Sequence, residues 1–450
     1  MRAPPPNAAR SGERTTRTTS TANATGNAIG LKIITPSSVI PTTAPKIEPV
    51  TLPSMTGERR AELAYWAAVA IGVVFIFVAG PLERRLELVH MNDFSGVWSG
   101  ARAIVLGVNP WDPTQYYGFA VDAGTKTPDA LVYDYMPWVA FAVAPLAMLT
   151  LEAAGWIWML ASMICAALAL RGMLRAFVPA RPVTHGAFGL ALFLAQPSFH
   201  AIVLGQWSLL LMSAVAATVL ALRAARPLLA TVPSLLFLAK PQLVVFTAIG
   251  FAYGAIREPV FRRYVVYGLL IAGAVMAIAW IAAPRDWFSA WLEDVPARRT
   301  LRSAVLPSAL SQLIGPPGRF IAYGLIGVGA LLAARFRPGS DASLAAWITL
   351  SNAGAIYSWS YDQVLLFAPA VITAGILTRR SEGTGRRFAL AAAGTLLVVS
   401  PVLYGIAVLR HDETFSVLVP LGFFIAIVLL LWREPEREKT VAARLQEAAA

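Results

Sequence analysis

Apolar residues gather along this chain into runs of the length that crosses a lipid bilayer, about 20 residues. Such runs cover 63–80, 154–174, 186–204, 206–222, 264–283, 319–335, 343–360, 362–378, 388–408 and 415–432. Two further stretches are irregular. Residues 136–149 (MPWVAFAVAPLAML) are short and hold Pro137 and Pro145, and 228–254 is interrupted by AKPQ at 239–242. The pattern predicts an all-α polytopic membrane protein, a transmembrane helical bundle with about ten to thirteen crossings.

A different pattern follows the first run. In HMNDFSGVWSGARAIVLGVNPWDP, residues 90–113, the side chains of Phe94, Val97, Trp98, Ala101 and Val105 recur at helical spacing, with Ser95, Ser99 and Arg102 on other faces. Gly107 stands where such a helix would end, and Asn109-Pro110 forbids its continuation. The segment predicts a short amphipathic helix lying on the outer membrane surface.

Composition strengthens the membrane reading. The chain is 57% apolar and 14% charged, with a mean hydropathy of +0.62, where a soluble chain carries about a quarter charged residues. The formal charge of +12 is expected to sit in cytoplasmic loops and tails rather than to bind nucleic acid. Lys and Arg collect before residue 63, in REPVFRR (257–263), at 335–337, in RRSEGTGRR (379–387) and from Arg433 onward. The loop 81–135 instead carries seven acids (Glu83, Glu87, Asp93, Asp112, Asp122, Asp129, Asp134) against four bases, which puts it outside. Between 136 and 255 two topologies stay open. Either 136–149 crosses and 228–254 is one broken span, or 136–149 stays on the outer face and 228–254 is a re-entrant hairpin.

The expected organisation is therefore a disordered cytoplasmic tail over 1–62, a transmembrane domain over 63–432 and a second cytoplasmic tail over 433–450. The first tail is rich in Ser, Thr, Pro and Ala and nearly free of aromatics, so it cannot bury enough surface to fold. Its first apolar core comes too late for a cleaved signal peptide. Cys165 is the single cysteine and lies in an apolar run, which excludes a disulfide framework and a Cys-based metal site. His90, His185, His200 and His411 show no metal-ligand spacing. There is no P-loop and no GxGxxG after a strand, so neither a nucleotide-sugar domain nor a cofactor is expected, and no metal is required.

A few polar residues stand out against this background. Asp93 opens the short helix and reads either as an N-cap or as a general base facing a lipid-borne substrate. In ALVYDYMPW, Tyr133 and Tyr135 read as interfacial belt packing or as a sugar-contacting wall. Lys240 lies in an apolar stretch beside Pro241, where the helix should break. It reads as a snorkelling side chain or, preferably, as a buried cation awaiting a phosphate. Asp362 in YSWSYDQVLLFAP opens a span and reads as an N-cap or a site residue. The segment 284–319 places Arg285, Arg298, Arg299, Arg302 and Arg319 on the outer side, where they suit lipid headgroups or a phosphate-binding loop.

In combination these stretches resemble a known family. DFSGVWSGARAIVLGVNPWDP, YDYMPWVAFAVAPLAMLT, LGQWSLLL, AKPQLVV and SWSYDQVLLFAP are similar, in order and spacing, to the sequence blocks of glycosyltransferase family 87 between about 63 and 432. The resemblance implies a GT-C-type bundle whose site lies at the outer face of a bacterial plasma membrane. It implies inverting transfer of a hexose, mannose in characterised members, from a polyprenyl-phosphate-sugar donor to a lipid-linked or glycan acceptor. By position it makes Asp93 the catalytic base and places Arg102, Gln206, Lys240 and Gln242 at recurring polar positions near the donor; in the transfer scheme Lys240, with help from external arginines such as Arg298 or Arg299, stabilises the leaving phosphate. Met136, Ser208 and Tyr361–Asp362 depart from the family's pattern, and the last of these bears on donor and acceptor identity. The rival class is a transporter or flippase of lipid-linked sugars, which should show internal repeats or paired interrupted spans. A polymerase or ligase of lipid-linked sugars would carry a larger external loop than this one.

Overall fold

The computed structural model describes residues 55–83, 92–125, 132–294 and 303–433, and among them every regular element is a helix. Proline sets many of the boundaries. It occupies the first or second position of nine of the described α-helices, and in the eight that start afresh after a loop or bend its fixed φ fits and its missing N–H costs nothing.

The chain runs between two ends of one bundle. α1 (Met55–Glu83) leads to the short helices α2 (Asn92–Val105), α3 (Pro113–Asp122) and α4 (Pro137–Ala147). α5 (Leu151–Phe177) returns, and α6 (Pro182–Leu194) and α7 (Gln196–Leu204) go back as a pair bent by 41°. α8 (Ser208–Arg223) returns again, then α9 (Pro227–Ser234) and α10 (Val245–Gly254) form the two arms of a hairpin. α11 (Pro259–Ala282) leads to α12 (Trp287–Asp294) and α13 (Leu306–Ile314). The remaining passes are α14 (Pro317–Ala334), α15 (Asp341–Ala353), α16 (Phe367–Arg380), the long unit of α17 (Glu382–Gly394) and α18 (Ser400–Arg410), and α19 (Leu418–Leu431).

Ion pairs mark one end. Glu62 meets Arg171 at 2.7 Å and Arg175 at 3.6 Å, Arg181 meets Glu382 at 2.9 Å, and Arg337 meets Glu258 at 3.1 Å. Asp341 takes both Arg223 and Arg379. These exposed pairs contribute little to stability, but they fix which helix ends lie together. The opposite end gathers Asp93, Gln206, Lys240 and Asp362. Two clefts, of about 420 and 380 Å³, are lined by residues of the basic end (Arg171 and Arg175; Arg337 and Arg379) and so lie away from that gathering.

This frame settles the open topology. α9 leaves the basic end after Arg226, the chain turns at Lys240 beside Gln206, and α10 ends next to Glu258, back at the basic end. Residues 227–254 therefore enter and leave on one side. α4 is 11 residues, roughly 16 Å at 1.5 Å per residue, and stays at the opposite end.

Several expectations need correction. Among the described residues seven helices could cross a membrane by length and composition, or eight with the bent pair, fewer than the ten to thirteen apolar runs suggest. α8 and α15, 16 and 13 residues long, also connect the two ends but are short for a roughly 30 Å hydrocarbon layer. α15 closes at Ala353 rather than near 360, and the chain completes that pass as irregular backbone. Such backbone is tolerated at membrane depth only inside protein, and α15 is buried from Ala342 to Ala353. α1 begins at Met55, ahead of the apolar run that starts at 63. Its polar opening stays helical because Glu62 is held by two arginines of α5.

α2 forms with the expected span. Val108 N–H reaches Ala103 C=O at 2.8 Å and Gly107 N–H reaches Ile104 C=O at 3.1 Å, with Gly107 at φ +74°, the left-handed glycine stop. Its surroundings differ from expectation. Phe94, Val97, Trp98 and Ala101 are buried in the protein core, Phe94 lying 5.1 Å from the Trp158 ring of α5. The polar side is covered too, since Ser99 hydroxyl shares a 2.9 Å hydrogen bond with Tyr116 of α3. The apolar stripe thus packs on protein rather than lying on a bilayer surface.

Candidate functional site

The polar gathering is assembled from four places where regular helix is interrupted or begins. The first is the opening turn of α2, which presents Asp93 half-buried. The second is the joint between α7 and α8. Gly205 adopts φ +69°, its N–H bonds Ile202 C=O at 3.0 Å, and Gln206 N–H bonds Ala201 C=O at 2.8 Å. Without a Cβ, Gly205 takes this left-handed geometry at little cost and swings Gln206 off the helix axis. Its own carbonyl accepts the Trp158 indole N–H at 3.0 Å, which pins the turn to α5.

The third is the tip of the α9–α10 hairpin. A residue before proline is excluded from helical geometry, and Lys240, before Pro241, sits at φ −138°, ψ 69°. The apolar run is therefore broken where its one cation must point sideways. The fourth is the short 3-10 turn Ser360–Leu366 leading into α16, which carries Asp362.

These four side chains form one chain of contacts. Gln206 Nε2 donates to Asp93 Oδ2, and its Oε1 accepts from Lys240 Nζ at 2.7 Å. Lys240 Nζ lies 3.4 Å from Asp362 Oδ1 and 5.0 Å from the centre of the Tyr361 ring. Asp362 Oδ1 also accepts the Ser208 hydroxyl at 2.5 Å, and Oδ2 accepts the Trp359 backbone N–H at 3.0 Å. Asn352 Nδ2 donates to the Asp362 carbonyl at 2.8 Å. Lys240 is 7% exposed and Asp362 1%, so each needs the other's charge and these donors to be held away from water. Asp362 is thus the third residue of its turn rather than the N-cap: its carboxylate accepts the N–H of Trp359, which holds the cap position, and also pairs the cation. Among the described residues no cluster of three or more His, Cys, Asp or Glu could hold a metal ion.

Tyr135 borders this network, its ring 6.4 Å from that of Trp207, which follows Gln206. Burial pushes its hydroxyl pKa up, and the nearby Asp93 and Asp362 carboxylates push it further. Tyr133 stands one layer behind. It is packed against Gly100 so closely that a Cβ there would fall 2.1 Å from the ring, and its own ring contacts Trp111, Tyr116 and Tyr135.

Gln242 shares the tip turn with Lys240 and is half-buried. Arg102 turns elsewhere: nine residues along α2 from Asp93, it donates to the last carbonyl of α4, Ala147, at 2.8 Å. A guanidinium at a helix C-terminus meets the negative end of the helix dipole. Arg298 and Arg299 lie outside the described residues.

Sequence reasoning passed over a second shell of polar side chains. Glu413 Oε2 accepts the Ser360 backbone N–H at 2.7 Å, and Gln196 Nε2 donates to the Ser360 hydroxyl at 3.0 Å. Gln196 also contacts His200 Nδ1 at 3.2 Å. Burial raises the Glu413 pKa above the ordinary glutamate range, partly offset by the Ser360 hydrogen bonds. Glu413 sits in a polar inter-helix segment and Gln196 within an apolar run, so only the polarity of Gln196 at membrane depth could have signalled this shell.

The sequence model of the family described as Glycosyltransferase family 87 matches residues 133–401, more than half of the chain. No curated protein and no solved structure matches it. The matched segment holds Gln206, Lys240 and Asp362, while Asp93 lies before it.

Proposed function

The chain belongs to glycosyltransferase family 87, and from that membership we infer that it works as a membrane glycosyltransferase taking a sugar donor and an acceptor in the membrane. On that premise we propose that it transfers a hexose, mannose by family expectation, from a polyprenyl-phosphate-sugar to a lipid-linked or glycan acceptor, with inversion. Asp93 is the general base and Lys240 the cation on the phosphate. The reaction runs at the outer face of a bacterial plasma membrane, with the basic end and both tails on the cytoplasmic side.

The observation that supports this reading is the Gln206 amide, which joins the two charged groups the reaction needs: a half-buried carboxylate on one side and a buried ammonium on the other. In the transfer, the acceptor hydroxyl oxygen attacks the anomeric carbon on the face opposite the phosphate. Its proton passes to a carboxylate oxygen of Asp93. The bond from the anomeric carbon to the phosphate oxygen breaks, and polyprenyl phosphate leaves with the electron pair. Lys240 stabilises the negative charge that grows on the leaving oxygen, in surroundings where such a contact is worth more than in water. Asp362 orients Lys240, and Tyr135 walls the sugar. Gln242 lines the donor side and Arg102 and Tyr133 support α2, while Arg298 and Arg299, outside the described residues, are assigned to help Lys240 on the phosphate.

Interrupted helices that meet at one point also occur in transporters. Membership of the family favours catalysis over passage. The test uses purified protein in lipid nanodiscs with labelled polyprenyl-phosphate-mannose and a lipid acceptor. Asp93→Asn is expected to lower the transfer rate by about 10²- to 10⁴-fold while the donor still binds. Near-wild-type transfer by Asp93→Asn would remove the base assignment. An unchanged anomeric configuration in the product would remove inversion.

A further inference from the structure

The segment between α15 and the Asp362 turn presents two aromatic rings that the reaction scheme does not use. Tyr357 is 39% exposed, and Ile356 beside it 67%. The indole N–H of Trp359 donates to the Tyr357 hydroxyl oxygen at 2.7 Å, and the rings meet edge to face with centroids 5.8 Å apart. The pair is stiff, because each side chain has few rotatable bonds and the hydrogen bond locks one to the other.

It is also tied to the site. Trp359 backbone N–H is a donor to Asp362 Oδ2, and Asp362 in turn pairs Lys240. An aromatic ring serving only as a bilayer-interface anchor keeps its polar handle free for the wet side. Here the indole N–H is spent on the neighbouring hydroxyl, while Tyr357 stays 39% exposed and Trp359 half-buried.

We propose that Tyr357 and Trp359 form a sugar-binding platform at the mouth of the site, which takes the pyranose ring of a glycosylated acceptor. The C–H face of a hexose packs on one ring, the other, nearly perpendicular to it, walls the sugar's edge, and the sugar's hydroxyls reach toward Asp93. The proposal rests on the transferase reading for its acceptor role, but hexose binding at the rings is separable from turnover.

The experiment uses full-length protein in nanodiscs with octyl mannoside and octyl glucoside below their micellar concentrations, and octanol as the sugar-free control. Saturation-transfer NMR should show signal on the hexose ring protons for the wild type, and its loss for Tyr357→Leu and Trp359→Leu. Trp359→Phe, which keeps a ring, should retain most of it. With a donor present, the two Leu variants should raise the KM for a glycoside acceptor by about three- to tenfold, with the donor KM unmoved.

Equal ring-proton saturation in wild type and Leu variants would overturn the platform, as would saturation confined to the octyl chain, the result expected of a bilayer anchor. A wild type that binds the hexosides but transfers nothing would defeat the transferase scheme and leave the platform standing.

Discussion

Lys240 is the residue on which the charge balance of the site turns. Its ammonium is shared between Gln206 Oε1 and Asp362 Oδ1, both buried. Lys240→Met would leave the Asp362 carboxylate without its cation, and breaking a buried pair in this way costs about 3 to 5 kcal/mol. Thermal unfolding in detergent should register that loss. Adding Asp362→Asn should recover most of the stability, because no lone charge remains, while transfer stays lost. If the double variant also regained transfer, Lys240 would have only a structural role. Lys240 was legible in the sequence because a cation inside an apolar run is costly and rarely idle. Its partner was not legible, since Asp362 lies 122 residues away and nothing local selects it over other acids.

At the scale of elements, function depends on where helices stop. Gly205 at φ +69° turns Gln206 into the site, and an alanine Cβ in that left-handed geometry costs about 1 to 2 kcal/mol. Gly205→Ala should lower the unfolding temperature and reduce transfer more than its stability loss explains, as Gln206 moves off the Asp93–Lys240 line. Gly422→Ala is the control: that helical glycine has open space at its Cβ, so both readouts should hold or stability should rise slightly. The Gly107 stop and the Lys240–Pro241 break could be read in advance, because glycine and proline act on their own backbone. The bend between α6 and α7 has the same kind of local cause, Pro197 at the second position of α7, but the early end of α15 could not be read in advance. Hydropathy stays high across it, and the irregular backbone there is tolerated because neighbouring helices bury it.

At the scale of the whole molecule, the arginine pairs collect at one end and the Asp93–Asp362 network at the other. In a Cys165→Ala background, Gln115→Cys at the site end should react with a membrane-impermeant maleimide on intact spheroplasts. Arg386→Cys at the basic end should react only after the membrane is opened. The reverse pattern would invert the proposed orientation.

Hydropathy and charge by themselves determined that the chain is an all-helical membrane protein, how many apolar runs it has and which loops are basic. These properties follow from what each segment costs to place in lipid. The tertiary structure alone decided that 227–254 returns to the side it left, that α2 is covered by protein, and that Gln206 joins Asp93 to Lys240. Those outcomes depend on which segments lie side by side, and packing between distant helices sets that, not the composition of any one of them.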